Sequence, residues 1–469
     1  MDFIEEAVKR DYEAGQRIVL RYPPEPNGYI HIGHAKAFGI SFRMRERYNG
    51  TVNLRFDDTN PAKENEVYVE SIKRDLEWLG IKYDKLFFAS DYYGRLYKFA
   101  VYLIGKGLAY VDDSSAEEIG KMRGELGRRG TESKYRGRGA EENLRLFEEM
   151  RAGKYEDGSK VLRAKIDMGS PNMNMRDPIM YKISRVRHFR TGDEWVIYPL
   201  YDFAHPLSDY LEGVSHSLCS LEFEDHRPLY NWYIENCRGC FAGLPAILPR
   251  QYEFSRLNIA GVKLSKRYLK EQVDSGEVDG WDDPRMPTIC GMRRRGIPAS
   301  AIMEFVESIG VSKSNMVIPA EQFEYYIRRH LLPIAEKISV VENVIKLSVA
   351  NFGEIFIDGS DYSADPPSKY KRLTRDNVVQ LFGGPKIRLK EFPNCEITDE
   401  KAAGVIQYVM VKSAKRAKIR GIGECLYDGG IEIRDGVHYQ FIRKGYYIKD
   451  TKADGDLTFI KTIGLKEGY

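Results

Sequence analysis

The sequence predicts a multidomain α/β protein that begins with a parallel sheet and ends in a β-rich region. Residues 17–95 alternate short apolar segments with helical patterns, which is typical of a parallel α/β sheet. Residues 258–334 show mainly helical spacing of apolar side chains. From residue 338 onward, short apolar strands alternate with Gly and Asp turns. A chain of 469 residues is long enough for several domains of this kind.

The first strand leads into a segment that predicts phosphate binding. An apolar strand at residues 18–20 runs into a Pro/Gly turn, after which His31-Ile32-Gly33-His34 opens a helix. Helix N-termini attract phosphate through free backbone N–H groups and a positive dipole. Gly33 allows a ligand to approach the backbone, and imidazoles at i and i+3 face the same side. A nucleotide site is indicated, although a metal pair or two surface histidines would give the same pattern.

The next elements continue the sheet and then interrupt it. Residues 52–56 predict a second strand, and Asp57 lies at its C-terminal end, where ligands gather in open α/β sheets. The apolar spacing of residues 66–79 predicts a helix. Residues 100–199 contain charged helical patterns, which indicate an insertion, and the strand pattern returns at residues 195–198.

A basic segment after the sheet offers a second phosphate-binding element. Val262-Lys263-Leu264-Ser265-Lys266-Arg267 follows a loop at Gly261 and carries cations suited to a triphosphate. A basic loop tip is usually solvated surface, so this segment alone indicates little. Together, His-Ile-Gly-His and Lys-Leu-Ser-Lys-Arg resemble the two signatures of the class I aminoacyl-tRNA synthetases.

Further segments are similar to one family within that class, the glutaminyl-tRNA synthetases. The similarity is nearly free of gaps from about residue 15 to 330 and continues more thinly to the C-terminus. The segments that carry it include Arg21-Tyr-Pro-Pro-Glu-Pro-Asn-Gly28, Arg55-Phe-Asp-Asp-Thr-Asn-Pro61, Tyr198-Pro-Leu-Tyr-Asp-Phe203, His216-Ser-Leu-Cys-Ser-Leu-Glu-Phe223 and Arg250-Gln-Tyr-Glu-Phe-Ser-Arg-Leu257.

The resemblance implies a domain organisation. A Rossmann-like catalytic domain would be split between residues 1–99 and 200–257, with an acceptor-stem-binding insertion at 100–199. A helical connector would span 258–334, and a shortened, all-β, two-barrel anticodon-binding domain would span 335–469.

The resemblance also implies the reaction: glutamine is joined to tRNA(Gln) through glutaminyl-adenylate and transferred to the 2′-hydroxyl of the terminal adenosine, releasing AMP and pyrophosphate. ATP with Mg²⁺ would be a substrate complex, with no tightly bound cofactor and no protein-held metal. The residues that would carry catalysis are His31, His34, Lys266, Ser265 and Glu25. The residues that would bind ATP are His31, Gly33, His34, Arg256, Leu257, Lys263, Ser265 and Lys266. Glu25 would contact the terminal ribose, or else is an ordinary turn carboxylate.

Six residues would bind glutamine by the same resemblance: Arg21, Asp57, Tyr201, Cys219, Phe223 and Gln251. Asp57 would hold the α-ammonium group, although it would also suit a helix cap before Asn60-Pro61. Tyr201 would accept from the side-chain amide, while Arg21 and Gln251 place a water there.

Cys219 is the position expected to select glutamine. Related glutamate enzymes carry Arg there, whereas a neutral Cys would leave a γ-carboxylate buried and unpaired, at a large energetic cost. A glutamate or non-discriminating tRNA ligase is therefore the disfavoured alternative, and Gln251 also argues against it. The intact signature motifs argue against a second alternative, a non-catalytic tRNA-binding paralogue.

Eight tRNA contacts follow from the resemblance. Leu126 would be an apolar wedge at the acceptor end, and Asp225 would contact the acceptor stem. The residues expected near the anticodon are Lys337, Lys371, Arg372, Lys390, Gln440 and Arg443. Lys337 stands where the family usually has Arg, which removes bidentate geometry. Short loops after Asn351 and Tyr427 weaken the expected anticodon discrimination.

Composition limits the other possibilities. The net charge of +3, from 72 basic and 69 acidic residues, requires nucleic-acid contact to come from local patches such as residues 123–138 and 412–420. Six scattered cysteines do not suggest a disulfide framework, and Cys237 and Cys240 have zinc-like spacing without a second ligand pair. No signal peptide or membrane-length apolar run is evident, so a cytoplasmic protein without membrane contact is expected. We also expect a monomer.

Overall fold

The structure, a computed structural model, describes residues 1–349, 353–358, 379–380, 388–389, 405–406 and 408–465. The chain divides into two compact units. Unit 1 comprises Met1–Tyr268 and Val306–Ile318, and unit 2 comprises Leu269–Phe305 and Pro319–Tyr469. The finer four-part division given by the resemblance stays a prediction.

Unit 1 is an α/β structure in which helices alternate with short strands. Its helices are α1 (Phe3–Glu13), α2 (Ile32–Arg47), α3 (Glu66–Trp78), α4 (Tyr93–Gly105), α5 (Ala116–Arg123), α6 (Ala140–Arg151), α7 (Tyr201–Glu212) and α8 (Arg227–Cys237). Its strands are β1 (Val19–Tyr22), β2 (Thr51–Phe56), β3 (Lys85–Phe88), β4 (Ala109–Asp112), β5 (Val161–Ala164), β6 (Ile179–Ile183), β7 (Ile197–Pro199), β8 (His216–Ser220), β9 (Arg250–Phe254), β10 (Asn258–Ile259) and β11 (Val317–Ile318). Short 3₁₀ helices occupy Ala89–Tyr92, Met173–Met175 and Leu221–His226.

The parallel sheet of unit 1 agrees with the sequence prediction. β1, β2 and β3 pair in parallel in that order, and β8 pairs in parallel with β9. The backbone N–H of Ser215 donates to the carbonyl of Val19 at 2.9 Å, which brings β8 alongside β1. All four residues of β1 are buried, as expected for a strand covered on both faces. The carboxyl ends of these strands therefore meet at one edge.

The inserted region is a four-stranded antiparallel sheet with order β4-β5-β6-β7. Its last strand lies at Ile197–Pro199, two residues beyond the start predicted from the sequence. Side chains from this sheet share one apolar core with α4, α6, α7 and α8, including Leu103, Phe147, Leu162 and Tyr233. The insertion is thus packed onto the helices that flank the parallel sheet.

Unit 2 combines helices with β-sheets. The helices that follow the parallel sheet along the chain are α9 (Lys266–Asp274), α10 (Ile289–Arg294), α11 (Ala299–Ile309) and α12 (Ala320–Leu331). The first three residues of α9 and the last four of α11 belong to unit 1, and the rest of these helices to unit 2. The strands are β12 (Glu336–Ile338), β13 (Val340–Val341), β14 (Val344–Val349), β15 (Gly353–Asp358), β16 (Val379–Gln380), β17 (Arg388–Leu389), β18 (Val405–Ile406), β19 (Tyr408–Met410), β20 (Ala414–Ile419), β21 (Gly423–Asp428), β22 (His438–Phe441), β23 (Gly445–Lys449) and β24 (Thr458–Gly464).

Two larger sheets organise the β-rich part of unit 2. One has seven strands in the order β12-β22-β23-β24-β20-β21-β13, and the other has four in the order β16-β14-β15-β19. The seven-stranded sheet packs around aromatic side chains, among them Phe441, which stacks on Tyr447 with ring centroids 3.9 Å apart. Over the ranges described, no helix combines the length and apolar character needed to cross a bilayer.

Candidate active site

The two histidines of the first motif hold the N-terminus of α2. The Nδ1 atom of His31 accepts from the backbone N–H of Gly33 at 3.1 Å, and Nδ1 of His34 accepts from the N–H of His31 at 3.2 Å. Each imidazole therefore satisfies a backbone donor at the helix end. Their ring centroids are 4.1 Å apart, so both rings lie on one side of the helix as predicted.

Burial keeps both rings neutral, and these bonds decide which nitrogen of each ring carries the proton. Burial and the nearby Lys266 charge lower the pKa of His31 to about 4, and burial, His31 and Lys266 hold the pKa of His34 well below its usual range. Both rings are therefore neutral at neutral pH. Because each Nδ1 accepts, the proton of each ring resides on Nε2, which is a donor. The pair can donate two hydrogen bonds to an anionic oxygen without adding charge.

Gly33 is required by its surroundings. A Cβ atom at this position would lie 2.9 Å from Cε1 and 3.0 Å from Nδ1 of His31. Any larger residue would push the imidazole away from its cap position. The glycine expected to allow ligand approach thus also makes room for the His31 ring.

The second motif reaches the Pro-Glu-Pro-Asn turn. Nζ of Lys266 donates to Oδ1 of Asn27 at 2.5 Å, and the amide of Asn27 donates to the carboxylate of Glu25. Lys266 is the first residue of α9, and Ser265 precedes it in an exposed position. The charge of Lys266 lowers the pKa of both histidines. Glu25, Asn27 and Lys266 form a continuous chain beside the N-terminus of α2. Sequence reasoning did not identify Asn27.

The remaining nucleotide-site candidates differ in their surroundings. Leu257 is buried, whereas Arg256 is exposed and forms an ion pair with Glu222 at 3.0 Å. Nζ of Lys263 lies over the ring of Tyr268 at 4.5 Å. Arg256 and Lys263 thus have protein partners that a phosphate would have to replace or extend.

The six predicted amino-acid-binding residues belong to one connected region. Arg21 on β1 donates to Sγ of Cys219 on β8 at 3.4 Å. The rings of Tyr201 and Phe223 are 5.2 Å apart, and the amide of Gln251 donates to the carbonyl of Phe223 at 3.1 Å.

Asp57 connects to this region through Arg55, whose Nε donates to its Oδ1 at 2.6 Å. The helix-cap alternative for Asp57 is wrong, because the next helix, α3, is capped by the side chain of Asn65.

A buried charge network underlies this pocket, and the sequence did not reveal it. Arg21 and Arg55 both donate to Oδ1 of Asp209, at 3.1 and 2.7 Å. Oδ2 of Asp209 accepts from Ser217 at 2.7 Å and Tyr230 at 2.9 Å. Although burial opposes it, the neighbouring cations hold the pKa of Asp209 well below its usual range. Asp209 is therefore a buried carboxylate that compensates two guanidinium groups.

His205 lies between the two arginines. Its ring nitrogens are 3.0 Å from Arg21 and 3.1 Å from Arg55, and Tyr201 stacks on its ring with centroids 4.9 Å apart. Although burial opposes it, Asp209 and Asp57 raise the pKa of His205 to about 9. Tyr201, His205 and Asp209 stand at i, i+4 and i+8 of α7. Polar residues on one face of a helix otherwise buried were the available signal for this network.

Asp57 retains an open acceptor. Its Oδ2 atom is buried, and no hydrogen-bond donor among the described residues satisfies it, although Nδ1 of His205 lies 3.6 Å away. The pKa of Asp57 is lowered, because the Arg55 charge and His205 outweigh the effect of burial. An ionised carboxylate oxygen that pairs with His205 but accepts no hydrogen bond suits an ammonium ligand.

The predicted tRNA contacts fall in several places. Leu126 is 81% exposed in the loop after α5, as an apolar wedge requires. The backbone carbonyl of Asp225 accepts from Asn172 at 2.7 Å. Lys337 on β12 and Gln440 on β22 are register partners in a parallel pair, and Arg443 lies in the following turn with φ 66°. The predictions for Lys371, Arg372 and Lys390 lie outside the described residues.

The Cys237/Cys240 pair lies at the end of α8. Burial raises the pKa of both thiols, which disfavours the thiolate form that binds metal. In the part of the chain that the structure describes, no group of three or more His, Cys, Asp or Glu side chains has an arrangement suited to a metal ion.

Comparison with known proteins gives the family. A family model described as the catalytic domain of class I tRNA synthetases (E and Q) matches residues 17–333. The chain belongs to this family. Among relatives of this class I synthetase, the glutamine–tRNA ligase of Clostridium kluyveri is 40% identical over 552 aligned residues, covering 100% of this chain and 98% of the relative. The glutamine–tRNA ligases of Bradyrhizobium diazoefficiens and Pseudomonas aeruginosa are 46% and 45% identical, with 97% and 98% of each relative covered and 100% of this chain.

A solved structure is similar in fold. The glutamate tRNA ligase from Elizabethkingia meningosepticum has a TM-score of 0.50 and 17% sequence identity, covering 68% of this chain and 70% of that one. At this identity the likeness supports the multidomain α/β fold alone.

Proposed function

We propose that this class I synthetase ligates glutamine to tRNA(Gln) with ATP, releasing AMP and pyrophosphate. The glutamine–tRNA ligases to which it is similar along its full length support this reaction. The observation that carries the choice of glutamine is the wall formed by Arg21 and Cys219. Arg21 donates to Asp209, the carbonyl of Leu218, Ser217 and Cys219, so most of its five N–H donors have partners within the protein. A γ-carboxylate beside Cys219 would find the charges of Arg21 and His205 already compensated by Asp209 and Asp57, so it would gain no dedicated cation.

Glutamine would be held at both ends. Oδ2 of Asp57, which accepts no hydrogen bond from a described residue, would accept from the α-ammonium group. Tyr201 would accept from the side-chain amide, with Arg21 and Gln251 placing a water. Gln251 is fixed for this role by its bonds to the carbonyl of Phe223 at 3.1 Å and to Glu253 at 3.0 Å. Sites built on polar hydrogen bonds reject the wrong isostere better than apolar packing does.

ATP would bind at the N-terminus of α2 as its Mg²⁺ complex. The neutral Nε2 donors of His31 and His34 would stabilise the α-phosphate as glutamine attacks it, and Lys266 would supply positive charge to the β- and γ-phosphates, with Ser265 and Arg256 assisting. Gly33, Leu257 and Lys263 would complete the nucleotide site. To bind a phosphate, Nζ of Lys266 would donate to a phosphate oxygen in place of Oδ1 of Asn27.

For tRNA, Glu25 would contact the terminal ribose, and Leu126 and Asp225 would contact the acceptor end. Lys337, Gln440 and Arg443, with Lys371, Arg372 and Lys390, would contact the anticodon. The adjacency of Lys337 and Gln440 across one strand pair supports a shared surface. The protein would act as a cytoplasmic monomer.

The decisive experiment is aminoacylation with labelled glutamine and glutamate, each assayed with glutamine and glutamate tRNAs. We expect charging of tRNA(Gln) with glutamine only. Charging with glutamate at comparable kcat/KM would establish a glutamate or non-discriminating enzyme, and tRNA binding without any charging would establish a non-catalytic paralogue.

A further inference from the structure

The N-terminal helix α1 presents one buried carboxylate to the amino-acid pocket's supporting strands. Asp11 is 7% exposed. Its Oδ2 forms an ion pair with Arg250 and lies 3.1 Å from Nε2 of His216, without making a hydrogen bond to it. Burial lowers the pKa of His216 to about 4, so the contact with this ring is one between a carboxylate and a neutral imidazole. His216 is fully buried, and its Nδ1 lies 2.9 Å from Oγ of Ser215. One side chain of α1 thus contacts two strands that are distant from it in the sequence.

The two contacted residues occupy a special place in the sheet. His216 is the first residue of β8 and Arg250 is the first residue of β9, and they are register partners in that parallel pair. Along the same strands, Gln251 follows Arg250 directly and Cys219 comes three residues after His216. Asp11 therefore contacts the first residue of each of two strands, and later residues of both strands line the proposed glutamine pocket.

The residues between His216 and Cys219 on β8 are bonded to Arg21. Arg21 donates to Oγ of Ser217 and to the carbonyl of Leu218, both at 2.7 Å. These two residues lie between His216 and Cys219 on β8. A change in the alignment of β8 against β9 would move Cys219 and Gln251 relative to one another and relative to the guanidinium of Arg21. Small displacements of binding groups have large effects on function.

We infer that Asp11 is a positioning residue for glutamine recognition, which acts by holding β8 and β9 in register from outside the pocket. The inference rests on the proposed function. It assigns α1 a part in amino-acid selection, because a helix that only covered the sheet would not need a carboxylate shared between the two strand ends.

The test is Asp11→Ala, with aminoacylation kinetics and thermal unfolding measured on the full chain. We expect KM for glutamine to rise by at least about fivefold, while kcat and KM for ATP change by less than about twofold. Arg250→Gln, which alters a half-exposed side chain, should raise KM for glutamine in the same way. The double variant should be no worse than Asp11→Ala alone, because Arg250→Gln removes one of the two contacts that Asp11→Ala already removes.

The matched control is Asp2→Ala, on the same helix. Asp2 caps α1 by accepting from Glu5 at 2.9 Å and pairs with Arg43 at 2.7 Å, and it contacts neither β8 nor β9 by any described bond. We expect it to lower the melting temperature without raising KM for glutamine. Equal effects of Asp2→Ala and Asp11→Ala on KM would refute the inference, as would an unchanged KM in Arg250→Gln. A wild-type chain inactive with glutamine would instead refute the proposed function.

Discussion

Replacing Asp209 with Asn tests the buried charge network most directly. The substitution preserves size but removes the charge that both Arg21 and Arg55 contact through one oxygen atom. It also replaces one acceptor oxygen by an NH₂ group. Either the two guanidinium groups or the hydroxyls of Ser217 and Tyr230 then face a donor where they had an acceptor.

The magnitude follows from these contacts. Removing one partner of a buried ion pair costs about 3–5 kcal/mol, because the remaining charge stays buried without compensation. That range corresponds to a factor of about 10²–10⁴ in the unfolding equilibrium. Since whole proteins are stable by only about 5–15 kcal/mol, Asp209→Asn should remove a large part of the stability of unit 1.

Urea unfolding of the full chain at pH 7 provides the measurement. The relevant transition is the one that saturating ATP shifts to higher urea, since ligand binding stabilises the unit that binds it. Glu70→Gln is the matched control, because Glu70 forms an exposed pair with Lys73 at 2.9 Å in the same unit. Exposed pairs contribute about 0–1 kcal/mol. If Asp209→Asn loses no more stability than this control, the network does not stabilise the fold as reasoned.

The contribution of Asp209 to the free energy of unfolding should depend on pH. The lowered pKa of Asp209 means that its charge stabilises the folded state above the unfolded-state pKa of about 3.9. This contribution is lost as pH falls through the folded pKa. The stability difference between wild type and Asp209→Asn should therefore narrow below about pH 4.

Four further outcomes are expected. Lys266→Ala should lower kcat for aminoacylation by at least about 100-fold with a smaller change in KM for ATP, and a near-normal kcat would contradict its role. Because the pKa of His31 is about 4, kcat/KM should show no acidic limb from this ring near pH 6.5; a limb there that His31→Asn abolishes would refute its neutral state. Cys219→Arg, which places a second guanidinium against Arg21, should lower the glutamine-to-glutamate ratio of kcat/KM by about tenfold or more, and an unchanged ratio would place Cys219 outside the pocket. Gln440→Ala should cost roughly 1–3 kcal/mol at one anticodon base in a panel of substituted tRNAs; equal losses for all anticodons would indicate a bracing role.

Local patterns predicted the elements of the fold that have regular apolar spacing. The helix predicted at residues 66–79 is present as α3, and the strand predicted at 52–56 is present as β2. The strand predicted from Trp195 begins later because the carbonyl of Trp195 accepts from the hydroxyl of Tyr198 at 3.0 Å rather than joining the ladder at that point. Short strands are set by such tertiary contacts, which spacing alone does not show.

The part of the candidate site that consists of local motifs could be predicted from the sequence. The part that consists of charge pairs between distant elements could not. His31, His34 and Lys266 follow from local signatures. Arg55 and Asp209 do not, because a charged residue in a strand or helix looks solvent-exposed until its partner from another element is known. Asp209 pairs with residues on β1, β2 and β8, and no local pattern encodes those contacts.

The reciprocal capping of α2 by His31 and His34 affects how substitutions of these two histidines can be interpreted. Nδ1 of each ring accepts from a backbone N–H at the helix end, and Nε2 of the same ring would donate to phosphate. The same two side chains would therefore serve both the stability of the helix and the reaction. Losing an N-cap costs about 1 kcal/mol, so removing either ring also loosens the helix that orients the other. Asparagine at position 31 is the exception, because it is a strong N-cap but lacks an outward imidazole donor. Only a substitution of that kind would report the chemical contribution of the ring without a simultaneous loss of helix order.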